Sequence, residues 1–112
     1  MSEKTEDWSD DQKKAVWNKG IIVPNYDSTK YRKDIAGAWI SYAEYGNIES
    51  DFGWEIDHIC PQAKKGSDLI SNLQPLQWQN NRSKGDDYPN CDFCVTSSGN
   101  KNIVYQQRLK IA

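Results

Sequence analysis

Asp57 and His58 stand side by side in "GWEIDHICP" (53–61), with Asn72 following 14 positions after the histidine and Asn81 following 23 after it. His58 is the single histidine of the chain. The three side chains at 57, 58 and 81 are a carboxylate, an imidazole and a carboxamide. A hard divalent cation such as Mg²⁺ prefers oxygen ligands and keeps several waters, so one carboxylate and one amide carbonyl can hold it when a substrate phosphate adds more. A neutral imidazole beside it can take a proton from an attacking water, because its ordinary pKa lies near neutrality. The cation can stabilise the leaving 3′ oxygen and the crowded, negatively charged phosphorus. The set suits phosphodiester hydrolysis. Without its neighbours, a histidine at a strand end would read as an ordinary hydrogen-bonded residue.

Such a set works only if short elements bring it together. "WEIDHI" is strand-like and broken by Pro61, and "NLQPLQW" is a second extended segment whose Pro75 confines it to an edge or a bulge. "QAKKGSD" is a polar connection between them, and "QNNRSKGDD" reads as a polar helical stretch ending near Gly85. Folding that hairpin onto the helix is expected to gather positions 57, 58 and 81. Alternation along the first strand puts Glu55 on the same side as Asp57. Upstream, "WSDDQKKAVWNKG" reads as a short packing helix. Ser9 caps it, Gln12 completes a capping box, Asp10 and Asp11 suit its positive end, and Gly20 follows as a terminator. "PNYDSTKYRKD" is loop-like, and its Arg32-Lys33-Asp34 reads as a solvated charge cluster, with Arg32 the best candidate for an additional phosphate contact. "AGAWISYAEYGN" fits a strand or one helix face, and the pieces "FCV" and "NIVY" fit a hairpin or a terminal helix.

The run "EIDHICP…GSDLISNLQPLQWQNNRSKGD" resembles the core of the HNH endonucleases, most specifically from Gly53 to Asp86 and more loosely upstream through "YRKDIAGAWI" and "YGNIESDFGW". The resemblance implies a ββα-metal core and a nuclease needing one divalent metal: Mg²⁺ foremost, Mn²⁺ next, Zn²⁺ or Ni²⁺ less suited. It makes Asp57 the metal-binding carboxylate, His58 the general base, Asn72 a residue that fixes the loop between the strands, and Asn81 the second metal ligand. The adjacent Asn80 is the alternative for that last position. Where the family often has a third-position histidine this chain has asparagine, which favours a hard, oxygen-preferring ion. Lys84 and Arg82 become contacts to the phosphate backbone. Lys64 and Lys65 are either a solvated pair or a further DNA contact.

The length of 112 residues suggests one domain spanning 1–112. With the ββα-metal core that the resemblance implies, an N-terminal helix and peripheral elements, its expected class is α+β, with residues 1–8 and the C-terminal end flexible. The formal charge is −2, but five acids and one base fall in the first twelve residues, leaving 13 basic against 11 acidic beyond them. That weak footprint predicts no strong non-specific DNA affinity. DNA is nonetheless the expected partner, with a targeting or inhibitor protein as a second, and oligomeric state is left open. No apolar run suits a membrane span or a secretory leader, and the three cysteines, an odd number, fit a reducing cytoplasm. Cys91 and Cys94 form one C-x-x-C without the second pair that a tetrahedral zinc site needs, and Cys60 reads as a bystander. The rival functions are an HNH-like module that binds nucleic acid without cutting it, and a toxin or effector nuclease.

Overall fold

Helix α1 (Asp10–Trp17) starts where the capping box dictates: the Gln12 N–H donates to Ser9 Oγ at 3.1 Å and the Ser9 N–H to Gln12 Oε1 at 2.9 Å. The computed structural model describes residues 8–111, so Glu3, Glu6 and Asp7 of the acidic lead, and all but the last residue of the segment expected to be flexible, lie outside the described residues. Helix α1 turns Val16 and Trp17 inward, and its C-terminus is tied to the next elements by Lys19. The Lys19 ammonium donates to the carbonyls of Ile70 and Leu73, and its partial burial lowers its pKa.

The chain then makes three antiparallel pairs, each a two-stranded sheet: β1 (Tyr31–Lys33) with β2 (Trp39–Ser41), β3 (Trp54–His58) with β4 (Leu73–Gln77), and β5 (Asn90–Ser98) with β6 (Lys101–Lys110). "AGAWISYAEYGN" resolves into β2 and a short 3₁₀ turn at Tyr42–Glu44. The loop-like "PNYDSTKYRKD" contains β1. The C-terminal segment is neither a helix nor a loose end but the β5–β6 hairpin, turned at Gly99 with φ +61°. Helix α2 (Trp78–Lys84) follows β4 without a loop, and the Gln77 side chain caps its start by accepting from the N–H groups of Gln79 and Asn80. Among the described residues no helix is long and apolar enough to cross a membrane.

The β3–β4 pair separates two apolar clusters. On one side Trp54 and Leu73 pack with Val16, Trp17 and Ile40, and on the other Leu76 packs with Ala36, Cys91 and Phe93. Trp17 and Trp54 lie 5.2 Å apart between ring centroids and are almost wholly buried, each removing on the order of 200 Å² from water. At ~25 cal/mol per Å² that is roughly 5 kcal/mol apiece as an upper bound, enough to anchor a short hairpin between two layers. Gly53, at the entry to β3, has no room for a side chain, since a Cβ there would meet the Asn47 carbonyl oxygen at 1.9 Å.

A buried carboxylate joins the layers. Asp34, one residue beyond β1, is 1% exposed and accepts four hydrogen bonds: Ala36 N–H and Ala38 N–H on Oδ1, Gln77 N–H and Asn80 Nδ2 on Oδ2. Asn80 passes the connection on, donating to the Val95 carbonyl and accepting the N–H groups of Cys94 and Val95, where the β5–β6 register shifts. The solvated charge cluster read at 32–34 is therefore corrected: only Lys33 of the three escapes burial, because strand alternation turns Arg32 and Asp34 inward.

Candidate active site

Strand β3 sends its side chains to two faces. Trp54 and Ile56 belong to the α1 side, so Glu55 and Asp57 face α2. There Asn81 Nδ2 donates to Glu55 Oε1 at 2.8 Å and Arg82 Nη2 to Glu55 Oε2 at 3.1 Å. Lys84, one turn beyond Asn81, places its ammonium 3.3 Å from Asp57 Oδ1 and donates to the His58 carbonyl at 3.0 Å. Gln74, opposite Asp57 in the register, donates to Asp57 Oδ2 at 3.0 Å. Burial pushes the Asp57 carboxyl above its ordinary pKa, and the Lys84 ammonium is the foremost group pulling it back.

The imidazole leaves by the other face. His58 Nε2 lies 2.7 Å from Asp68 Oδ1, and the ring sits 5.9 Å from that of Trp8. The expected gathering of three side chains is thus corrected: Asp57 and Asn81 share the α2 face, while His58 joins it through its backbone carbonyl. Alternation between neighbours on a strand is the reason, since residues 57 and 58 cannot face the same way while both remain in β3.

Asn72 closes the loop beneath the histidine. Its Oδ1 accepts from the Cys60 N–H at 2.9 Å, and its Nδ2 donates to the carbonyls of Cys60 at 3.0 Å and Ser67 at 2.8 Å. The carboxamide so continues the strand pairing past the His58–Leu73 pair. Gly66 fits only as glycine, because a Cβ there would fall 1.6 Å from the Cys60 carbonyl oxygen. Replacing Asn72 with Ala should cost about 2 kcal/mol, given three partly buried bonds, and Asn72→Asp should cost as much despite keeping an acceptor. Denaturant unfolding of both variants measures this, and a wild-type midpoint in Asn72→Asp would contradict the two donations.

The basic residues divide sharply. Arg32 is not available to a phosphate: its guanidinium is buried and donates to the carbonyls of Ser28, Asn18 and Gly20. Lys84 is likewise internal, its side chain fully buried against Asp57. Arg82 is half exposed but tethered to Glu55 and stacked 5.6 Å from the Trp78 ring. Lys64 and Lys65 project from the connecting loop, with Lys64 Nζ 3.4 Å from the Tyr88 carbonyl. Asn80, the alternative ligand, is fully buried, and both ends of its carboxamide already serve Asp34 and β5. The three cysteine sulfurs are free thiols that contact carbonyls of separate segments, at Lys64, Asp87 and Gln79.

Glu55, Asp57 and Asn81, between β3 and α2, are of the oxygen-bearing types that a hard cation prefers. Glu55 accepts from the Asn81 Nδ2, while Asp57, on the same side of β3, is held by Lys84 and Gln74. No cluster of three or more His, Cys, Asp or Glu is assembled among the described residues, so water and substrate oxygens must complete any coordination. The Lys84 ammonium already occupies Asp57 Oδ1, so a dication binding there would have to share or displace it. Sequence reasoning missed Asp68, Gln74 and Asp34. Asp68 lies in a polar connection with no local signal, and the other two are polar residues whose burial only the packed layers create.

Compared with known proteins, residues 46–90 match the family model described as HNH endonuclease. No curated protein and no solved structure matches the chain.

Proposed function

From the premise that residues 46–90 are an HNH endonuclease segment, we propose that the chain is a nuclease hydrolysing phosphodiester bonds, with DNA as its substrate. The observation that carries this reading is the strand–strand–helix unit in which Glu55 meets Asn81 of α2, Asp57 faces the same helix through Lys84, and His58 ends the same strand. Asp57 and Asn81 would hold one divalent cation, Mg²⁺ or Mn²⁺. That cation would supply positive charge to the leaving 3′ oxygen and the crowded phosphate. His58 acts as a neutral imidazole that accepts a proton from the attacking water. A phosphodiester lying across the C-terminal end of β3 meets both groups from their two sides. Lys64, Lys65 and Arg82 contribute charge toward the flanking phosphates, Arg82 by leaving Glu55. Asn72 keeps the loop that carries the histidine in register.

One observation favours a rival. Lys84 already neutralises Asp57, as would suit a module that binds nucleic acid without cutting it. A single assay separates the two. Supercoiled plasmid is incubated with the protein and Mg²⁺ or Mn²⁺, with and without chelator. Nicking should appear only with metal, and His58→Ala and Asp57→Ala should each slow it by about 100-fold or more. Plasmid that binds but stays intact across the metal series, or nicking that survives His58→Ala, overturns the nuclease reading.

A further inference from the structure

We propose that Asp68 is a positioning residue for His58, holding the imidazole by its Nε2–H and leaving Nδ1 as the nitrogen that takes the proton. The inference rests on the nuclease reading for its kinetic consequence, but its geometry stands apart from it. Asp68 Oδ1 lies 2.7 Å from His58 Nε2, and the same oxygen accepts from Gln62 Nε2 at 3.0 Å. A carboxylate accepts only, so the nitrogen facing it must carry the proton. The tautomer follows: Nδ1 holds the lone pair.

The surroundings make this contact a constructed one. Asn72 fixes the Ser67 carbonyl, immediately before Asp68, and Gly66 lets the loop pass against Cys60. The Trp8 ring lies at 48° to the imidazole and limits its swing from the other side. The His58 side chain is 12% exposed, so its ring is largely enclosed, whereas the Asp68 side chain is 62% exposed and can rehydrate cheaply if the contact is lost. In the proposed step the water oxygen forms the new bond to phosphorus as its proton passes to Nδ1. The bond to the 3′ oxygen breaks with its electron pair, and that oxygen takes a proton from solvent. His58 later returns its own proton to solvent. Asp68 takes no proton; it opposes the positive charge that the imidazole gains, as second partners of functional histidines do.

Because the chain has one histidine, every imidazole signal of ¹⁵N-labelled protein belongs to His58. Wild-type protein should show a slowly exchanging, downfield proton correlated to Nε2, and Asp68→Asn and Asp68→Ala should lose it. The same variants should lower kcat by roughly tenfold with KM little changed. Gln62→Ala removes a second donor to Asp68 and tests a loop-bracing role; it should keep the Nε2 proton and near-wild-type kcat. An absent Nε2 proton in wild type, or one that persists in Asp68→Ala, overturns the proposal whether or not the protein turns over. Wild-type kcat in Asp68→Ala when His58→Ala is inactive also overturns it while leaving the nuclease reading intact. Turnover that survives His58→Ala sinks the nuclease reading instead, and the Nε2 proton then decides the positioning contact alone.

Discussion

Asp34→Ala should cost roughly 4 kcal/mol of stability and leave the protein largely unfolded under mild denaturant. Four donors from three elements end on this one carboxylate, and none of them reaches water once it is gone. An unsatisfied buried donor costs ~1–3 kcal/mol, and what offsets the sum is relief from burying a charge. That burial is costly: it raises the Asp34 carboxyl from 3.8 to about 6 even though all four hydrogen bonds pull the other way. Asp34→Asn should be scarcely milder, because its NH₂ would oppose the Gln77 N–H or the Asn80 amide. The pH dependence has a definite sign. Between about 4 and about 6 the folded protein holds a proton on Asp34 that the unfolded chain has released. Its contribution to stability is therefore full below that window and is lost as pH rises through it. Urea unfolding of wild type and Asp34→Asn across this range checks both claims. The difference between them should grow smaller with rising pH, and a parallel pair of curves would show that Asp34 does not titrate there.

What the sequence made legible were features whose cause is local. The α1 capping box needs only Ser9 and Gln12 three residues apart, and both of its bonds form. The turn from β4 into α2 and the spacing of Asp57, His58, Asn72 and Asn81 lie within one short segment, which the family match also spans. Residues whose role depends on another layer were misread. Arg32 and Asp34 look solvated in a charged triplet, yet β1 turns both inward, where distant carbonyls and N–H groups satisfy them. Asn80 and Asn81 are indistinguishable by type, but neighbours on a helix diverge by about 100°, so one meets β5 and the other β3. The opposite facing of Asp57 and His58 was available from strand period alone. The charge at Lys84 illustrates the same limit: a lysine at the end of a polar helix reads as a phosphate contact, and here it is the most deeply enclosed cation among the described residues.

Lys84→Met should destabilise the fold by about 3–5 kcal/mol, because it strips the cation from a carboxylate that stays buried. Asp57 is 6% exposed, and with Lys84 removed the Gln74 amide is the hydrogen-bond donor left on its carboxylate among the described residues. Methionine fills similar volume, so the loss measures the unpaired carboxylate and the missing bond to the His58 carbonyl, not an empty cavity. The double variant Lys84→Met, Asp57→Asn should recover a large part of the deficit, since the pair is then removed together. A deficit equal to the sum of the single changes would mean that the pair contributes no coupling. The single variant Lys84→Met, which keeps Asp57, tests the cation site without reference to turnover. If Asp57 is where a divalent ion enters, Lys84 competes with it at Oδ1, and the variant should bind Mn²⁺ more tightly than wild type. Thermal unfolding with increasing Mn²⁺ then raises the variant's Tm by more than the wild type's, as mass action requires of an ion bound only by the folded state. Calorimetric titration gives the affinities directly. Equal Mn²⁺ affinities in the two proteins would leave Lys84 as a structural partner and put the ion elsewhere, with Glu55 and Asn81 as the oxygen donors that remain on that face.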